Sequence, residues 1–234
     1  MDWLVRVFEQ RPRFTLYVAG PADWNRVAHI PIYGMPHAVG EQVVTGTSPS
    51  AFWNEYAGVL AGDLTIADRQ RLHAVYGDPL QLGERFADLV VAHELAHLFH
   101  EFDEGTGRTD FPQPWVAELF ANIGFHGYVA DVEPNELQVL QTICDLTWRA
   151  PSARWRVREL ARMEDGLADG PLNYLWFEFR LLVTARSIWD SGGARALREF
   201  HRTLRQSDLS DDQIFAAIHA VAPEAERGLR MWPT

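Results

Sequence analysis

The segment Arg85-Phe86-Ala87-Asp88-Leu89-Val90-Val91-Ala92 leads into His93-Glu94-Leu95-Ala96-His97, and Leu98-Phe99 follows. This run is apolar on most sides, with a spacing that predicts one helix carrying two histidines and a glutamate in its middle. Residues four apart on a helix return to the same face, so His93 and His97 point the same way. Buried imidazoles and a buried carboxylate need partners, because an unpaired polar group in an apolar setting is costly. A metal ion supplies them. Two neutral nitrogen donors, with Glu94 placed to reach a metal-activated water rather than the metal, suit a catalytic zinc with an open position better than a closed structural one. On an exposed helix the same residues would carry no such meaning.

A catalytic zinc takes three protein ligands, which leaves one to find. An extended pattern with a third histidine would need glycine at 100 and histidine at 103, whereas His100 and Asp103 stand there. The segment Gly105-Thr106-Gly107-Arg108-Thr109-Asp110 does not match an aspartate-ligand pattern closely, and the single cysteine, Cys144, lies well downstream. The best candidate is Glu118, within Trp115-Val116-Ala117-Glu118-Leu119-Phe120-Ala121-Asn122. Pro112 and Pro114 close a turn-rich loop, after which a helix is expected to about Tyr128. Two helices joined in this way can pack antiparallel and bring Glu118 to the histidines. An acid early in a helix also serves simply to offset the helix dipole. Asn122, one turn after Glu118, shares its face and can either orient a ligand imidazole or serve packing or a backbone bond. His100 lies one turn past His97, either near the pocket or partly exposed, and the same two readings apply to His126.

With these motifs the chain resembles the gluzincin metallopeptidases, and among them the catalytic domain of membrane-alanyl-type aminopeptidases. Their third-ligand motif reads Trp-x-Asn-Glu-Gly-Phe-Ala; Trp115, Glu118, Phe120 and Ala121 are in register, with Ala117 and Leu119 in place of the Asn and Gly. The resemblance spans about residues 30–205 and implies a zincin-like α+β fold hydrolysing a peptide or related amide, with Glu94 as proton acceptor. Tyr174, in Pro171-Leu172-Asn173-Tyr174-Leu175-Trp176-Phe177, looks like the family's transition-state tyrosine, though the usual Glu-Lys-Gly after it is absent. Asn122 stands where thermolysin-like relatives hold a ligand histidine with aspartate. The resemblance also implies an edge strand beside the zinc helix that pairs with extended substrate; it is expected over about residues 38–45, with Val39, Gly40 and Glu41 against the substrate. The relatives' amine-gripping Gly-x-Met-Glu-Asn corresponds to Gly34-Met35-Pro36-His37, which has no acid in register, so amino-end specificity is not implied.

At 234 residues the chain can bury one good core, and one domain over 1–234 is expected, with a sheet-rich lobe to about residue 80 and a helical lobe from 81 onward. Strands are expected at Phe14–Ala19, His29–Tyr33 and Ala38–Thr45, forming a small mixed sheet with an edge over the zinc helix. Helices are expected at Asn135–Trp148, Trp155–Arg162, Tyr174–Trp189 and Ala194–Leu204. Ser210-Asp211-Asp212-Gln213 reads as a capping box opening a last helix through Ala220. Trp148, Trp155, Trp176 and Trp189 read as core.

A net charge of −11 argues against a nucleic-acid partner, which would want a basic face. One cysteine rules out an internal disulfide. No signal-like start and no long apolar run is present, so a cytoplasmic protein acting away from membranes is expected. The expected activity is zinc-dependent hydrolysis of peptide or protein substrates. The alternatives are a catalytically silent zincin fold that binds or regulates, and a zinc hydrolase of a non-peptide amide or epoxide.

Overall fold

A computed structural model describes residues 1–100, 102–103 and 108–233 of the chain. Of the turn-rich loop before Pro114, residues 104–107 lie outside the described residues. The chain is α+β. It runs through α1 (Asp2–Phe8), β1 (Thr15–Ala19), α2 (Trp24–Val27), β2 (His37–Val39), β3 (Gln42–Gly46), α3 (Ala51–Asp63), α4 (Ile66–Tyr76) and α5 (Leu82–His97). Then come β4 (Phe102–Asp103), β5 (Arg108–Thr109), α6 (Pro114–Val132), α7 (Leu137–Arg149), α8 (Met163–Asp169), α9 (Pro171–Leu204), α10 (Asp211–Val221) and α11 (Pro223–Arg230). No helix among the described residues is long and apolar enough to cross a membrane.

The three-stranded sheet has the order β1-β3-β2, with β1 parallel and β2 antiparallel to β3. The single strand expected over residues 38–45 is therefore two strands of a hairpin. Val39 pairs with Gln42, which leaves Gly40-Glu41 as a two-residue turn. Gly40 has φ 55°, a conformation that glycine adopts freely and that suits the first position of such a turn. The edge strand is β2, while β3 is interior.

Two other expectations are corrected. His29–Tyr33 is not a strand. Pro31 has no N–H to give, and neighbouring groups bond locally: the Trp24 indole donates to the Ile30 carbonyl at 2.8 Å and the His29 N–H to His37 Nε2 at 3.0 Å. Trp155–Arg162 is largely irregular, with only a 3₁₀ turn at Leu160–Arg162. Asn173 donates to the Val157 carbonyl at 2.8 Å and accepts from its N–H at 3.0 Å, so one side chain takes both backbone groups that a helix would have used. The first 80 residues are also less sheet-rich than expected, since α3 and α4 fill much of their second half. The apolar spacing Phe52, Trp53, Tyr56, Ala57, Leu60 is helical, and all five are buried.

α6 is the most enclosed helix, with 13 of its 19 residues buried. It lies between α5 and α9. Along α5, Phe86, His93 and His97 meet Phe125, Asn122 and Glu118 of α6, so these two helices run antiparallel. Gly124 permits the approach, because a Cβ there would stand 2.9 Å from Ala96 Cβ. Along α9 the partners climb together, from Glu118 with Tyr174 to Asn122 with Glu178 and Gly127 with Trp189, so α6 and α9 run parallel. α9 breaks at Gly192 and Gly193, where the glycine pair foretold an end to one helix and the start of another. The capping box at Ser210 and Gln213 is present.

The tryptophans are core residues, as expected: Trp155, Trp176 and Trp189 are buried, and Trp148, Trp176 and Trp232 surround the Arg180 guanidinium at 4.3, 5.3 and 5.2 Å.

His126 is 3% exposed, and burial, helped by the nearby Arg186 charge, pushes its imidazole down to about 4. The folded value thus lies below the unfolded one of about 6.5, so the unfolded chain takes up the proton first as pH falls. The stability tied to neutral His126 is present above pH 6.5 and is lost between 6.5 and 4, by about 3 kcal/mol at pH 4. Urea unfolding of His126→Phe should show a pH 7 to pH 4 loss smaller than the parent's by about that amount. Equal losses would mean that His126 is not held neutral.

Candidate metal centre

α5 supplies His93, Glu94 and His97, and α6 supplies Glu118 from its second turn, past the first-turn position where an acid serves only the helix dipole. The Glu118 carboxylate oxygen Oε2 lies 3.0 Å from His93 Nε2 and 3.3 Å from His97 Nε2. The two Nε2 atoms are 3.0 Å apart. Donors bound about 2.1 Å from one tetrahedral ion sit roughly 3.4 Å from each other, so this triangle matches a shared metal closely. His93, His97 and Glu118 form a group that can hold a metal ion, and Glu94 stands outside it.

The electrostatics favour a cation at this point. Burial works against charging His93, yet the bond to Glu118 and the charges of Glu94, Glu118 and Glu178 outweigh it and lift the imidazole to about 10. Burial likewise opposes ionisation of Glu118, but His97 and His93 hold it well below the usual carboxylate range. A proton on His93 and a metal ion compete for the same nitrogen lone pair, so metal uptake here releases a proton. Glu94 is buried, which raises its carboxyl pKa against the pull of His93 and His97, and its carboxylate accepts the backbone N–H of Ala38 in β2.

Each imidazole is also held from behind. His93 Nδ1 donates to Asn122 Oδ1 at 3.0 Å, and Asn122 Nδ2 donates to Glu178 Oε2 at 2.8 Å. With the hydrogen on Nδ1, the Nε2 lone pair is left for a metal. His97 Nδ1 lies 2.9 Å from His100 Nε2 and so has the same arrangement. His100 is therefore not a partly exposed bystander: its side chain is 5% exposed, and its other nitrogen lies 4.0 Å from Asp110, which pairs with Arg205.

The group opens onto a cleft of about 970 Å³. Val39, Gly40 and Glu41, expected against the substrate, line it at the tip of the hairpin rather than within one long strand. Phe52, Trp53 and Phe86, with Leu175, Phe179 and Leu182 of α9, give it an apolar lining in which Phe179 packs edge-on against Phe86 at 5.3 Å. Tyr174 also lines the cleft and its hydroxyl donates to Glu118; burial, then the charges of Glu118, Glu178 and Glu94, hold its pKa well above the usual phenol value. His126 takes no part, since it lies one turn beyond Asn122 along α6, beside Cys144 and Arg186.

The chain matches no protein-family model, no characterised protein and no solved structure.

Two participants lie beyond the motifs read from the sequence, Glu178 and the Ala38 N–H. Glu178 has a signal there, as a lone acid in the apolar run Leu175 to Phe179, one turn past Tyr174. For His100 the structure selects the reading near the pocket, with its ring turned back towards His97. The Ala38 N–H carries no side-chain signature at all, and only the fold brings it to Glu94.

Proposed function

We propose that this chain is a zinc-dependent metallopeptidase of gluzincin type, zincin-like in fold, that hydrolyses peptide bonds of peptide or protein substrates. One observation carries the reading: a buried carboxylate, Glu94, stands beside but outside a three-donor metal group, His93, His97 and Glu118, at the mouth of an open cleft. A structural metal site has no use for such a base. Two imidazoles and one carboxylate are a donor set that suits zinc and leaves a fourth position open. When bound, the ion supplies Lewis acidity, polarising a carbonyl and acidifying water near neutral pH.

The protein's own groups perform the remaining steps. Glu94 takes a proton from the attacking water as the new C–O bond forms, then delivers it to the leaving nitrogen as the C–N bond breaks. Burial, which raises its pKa, makes it a better proton acceptor than an exposed carboxylate. The Ala38 N–H holds the Glu94 carboxylate in place. A strand residue's N–H and C=O point to the same side, so the Ala38 carbonyl also turns away from β3 and towards the cleft. It is thus available to an extended substrate lying along β2. As the carbonyl carbon becomes tetrahedral, the Tyr174 hydroxyl gains the developing oxyanion as an acceptor in place of Glu118.

The test is cleavage of a peptide library by the zinc-loaded protein, with a chelator as control. Cleavage that stops on chelation and returns with zinc is expected; a loaded protein that cuts no peptide rejects the peptidase reading. Within it, Tyr174→Phe should keep its zinc and lose about 100-fold in kcat, with KM little changed. An unchanged kcat removes Tyr174 from the mechanism.

A further inference from the structure

The structure assigns Glu178 a role that no sequence motif suggests: it is a positioning residue for the metal ligand His93, acting through the amide of Asn122. This rests on the metal centre proposed above. An asparagine side chain has two ends of nearly equal shape and opposite hydrogen-bonding character. Facing His93 with Oδ1, Asn122 accepts from Nδ1–H and leaves the Nε2 lone pair directed at the metal. Facing it with Nδ2, the amide would need a lone pair on Nδ1, which puts the hydrogen of a neutral imidazole on Nε2, where a ligand is required. Asn122 alone has no reason to choose. Glu178 decides, because its Oε2 lies 2.8 Å from the amide nitrogen and can only accept. The same holds for a protonated carboxyl group whose hydrogen sits on Oε1, which leaves Oε2 as the carbonyl oxygen.

The fold supports the assignment. Tyr174 and Glu178 are one turn apart on α9, as Glu118 and Asn122 are on α6, and the two helices run parallel in register. α9 therefore meets α6 twice along one line, first at the ligand Glu118 and then at the residue holding the ligand His93. Glu178 stands in an apolar stretch between Phe177 and Phe179, both fully buried. Its other oxygen, Oε1, is buried without a hydrogen-bond partner among the described residues. Packing alone would be better served there by leucine or methionine, since a half-satisfied carboxyl group is costly.

Zinc affinity, measured by competition with a chromogenic chelator, tests this in two backgrounds. With Asn122 present, Glu178→Met should weaken zinc binding about 10–100-fold, the usual effect of losing an outer hydrogen bond to a ligand. Glu178→Gln should lose less than the Met variant, because its carbonyl can replace Oε2 as the acceptor while its amide end is equally free to turn there. With Asn122→Asp, the residue facing His93 no longer has two ends to choose between. There Glu178→Met should cost nothing, and Glu178→Gln should tighten binding by relieving two facing carboxylates.

Full zinc affinity in Glu178→Met, or an equal loss in both backgrounds, overturns the assignment in favour of a packing brace. Should the Met variant fail to fold, judged by thermal unfolding without metal, Glu178→Gln decides alone. Weaker zinc binding by Glu178→Gln in the parent that is absent from the Asn122→Asp background upholds the role, and an unchanged parent affinity or an equal loss in both overturns it. A parent chain that takes up no zinc overturns the metal centre itself, and the role of Glu178 with it. A zinc-binding parent with an indifferent Met variant overturns only the role of Glu178.

Discussion

Replacing Glu94 with glutamine is expected to leave one zinc per chain and to lower kcat roughly 10³–10⁴-fold. Both halves follow from the geometry. The group that can hold a metal ion is made of His93, His97 and Glu118, and Glu94 is not part of it. The glutamine carbonyl can still accept the Ala38 N–H, so the side chain stays where the carboxylate was. What disappears is the ability to hold a proton between water and the leaving nitrogen. Metal analysis with turnover of a cleaved peptide reads the two effects separately. Retained activity would show that another group is the base. A parent and variant that are equally inert, yet bind a partner equally well, would point to the silent zincin-fold module instead.

The second large effect concerns Glu118. Zinc in a four-ligand peptide site is held by about 10–16 kcal/mol, so each ligand accounts for roughly 3 kcal/mol, and Glu118→Ala should weaken zinc at least about 100-fold. The loss has a further source here. Glu118 neutralises charge at His93 and His97 and accepts the Tyr174 hydroxyl, so its removal leaves those groups facing one another without their shared acceptor. Chelator competition and metal content after dialysis measure the effect. Full zinc retention in Glu118→Ala would exclude it as the third ligand and direct attention to His100 or Asp110 nearby.

Much of this site was legible in the sequence, for one reason. The pairs His93 with His97, Glu118 with Asn122, and Tyr174 with Glu178 all rest on the four-residue return of a helix, a local property that holds wherever the helix lies. The antiparallel meeting of α5 and α6 was also within reach, since a loop bounded by Pro112 and Pro114 joins two apolar helical patterns. The strands were read less well. His29–Tyr33 has an apolar, β-like composition but spends its backbone groups on local bonds, and the Ala38–Thr45 run hides a turn at Gly40-Glu41. In both, hydrogen bonding to particular neighbours overrode residue type. Trp155–Arg162 failed for the same reason, because Asn173 took over the backbone of Val157.

Sequence alone thus determined which residues share a helical face and, through apolar spacing, which faces turn inward. Only the tertiary structure decided which inward faces meet and in what register. Close packing at Gly124 and Ala96 sets how nearly α5 approaches α6, and the parallel seating of α9 brings Glu178 to Asn122 rather than to a neighbour. Ala38 reaches Glu94 through the pairing of β2 with β3, not through its own side chain. Face sharing is a short-range consequence of backbone geometry. Register between elements depends on the volumes and hydrogen bonds of many residues at once, and no single segment contains it.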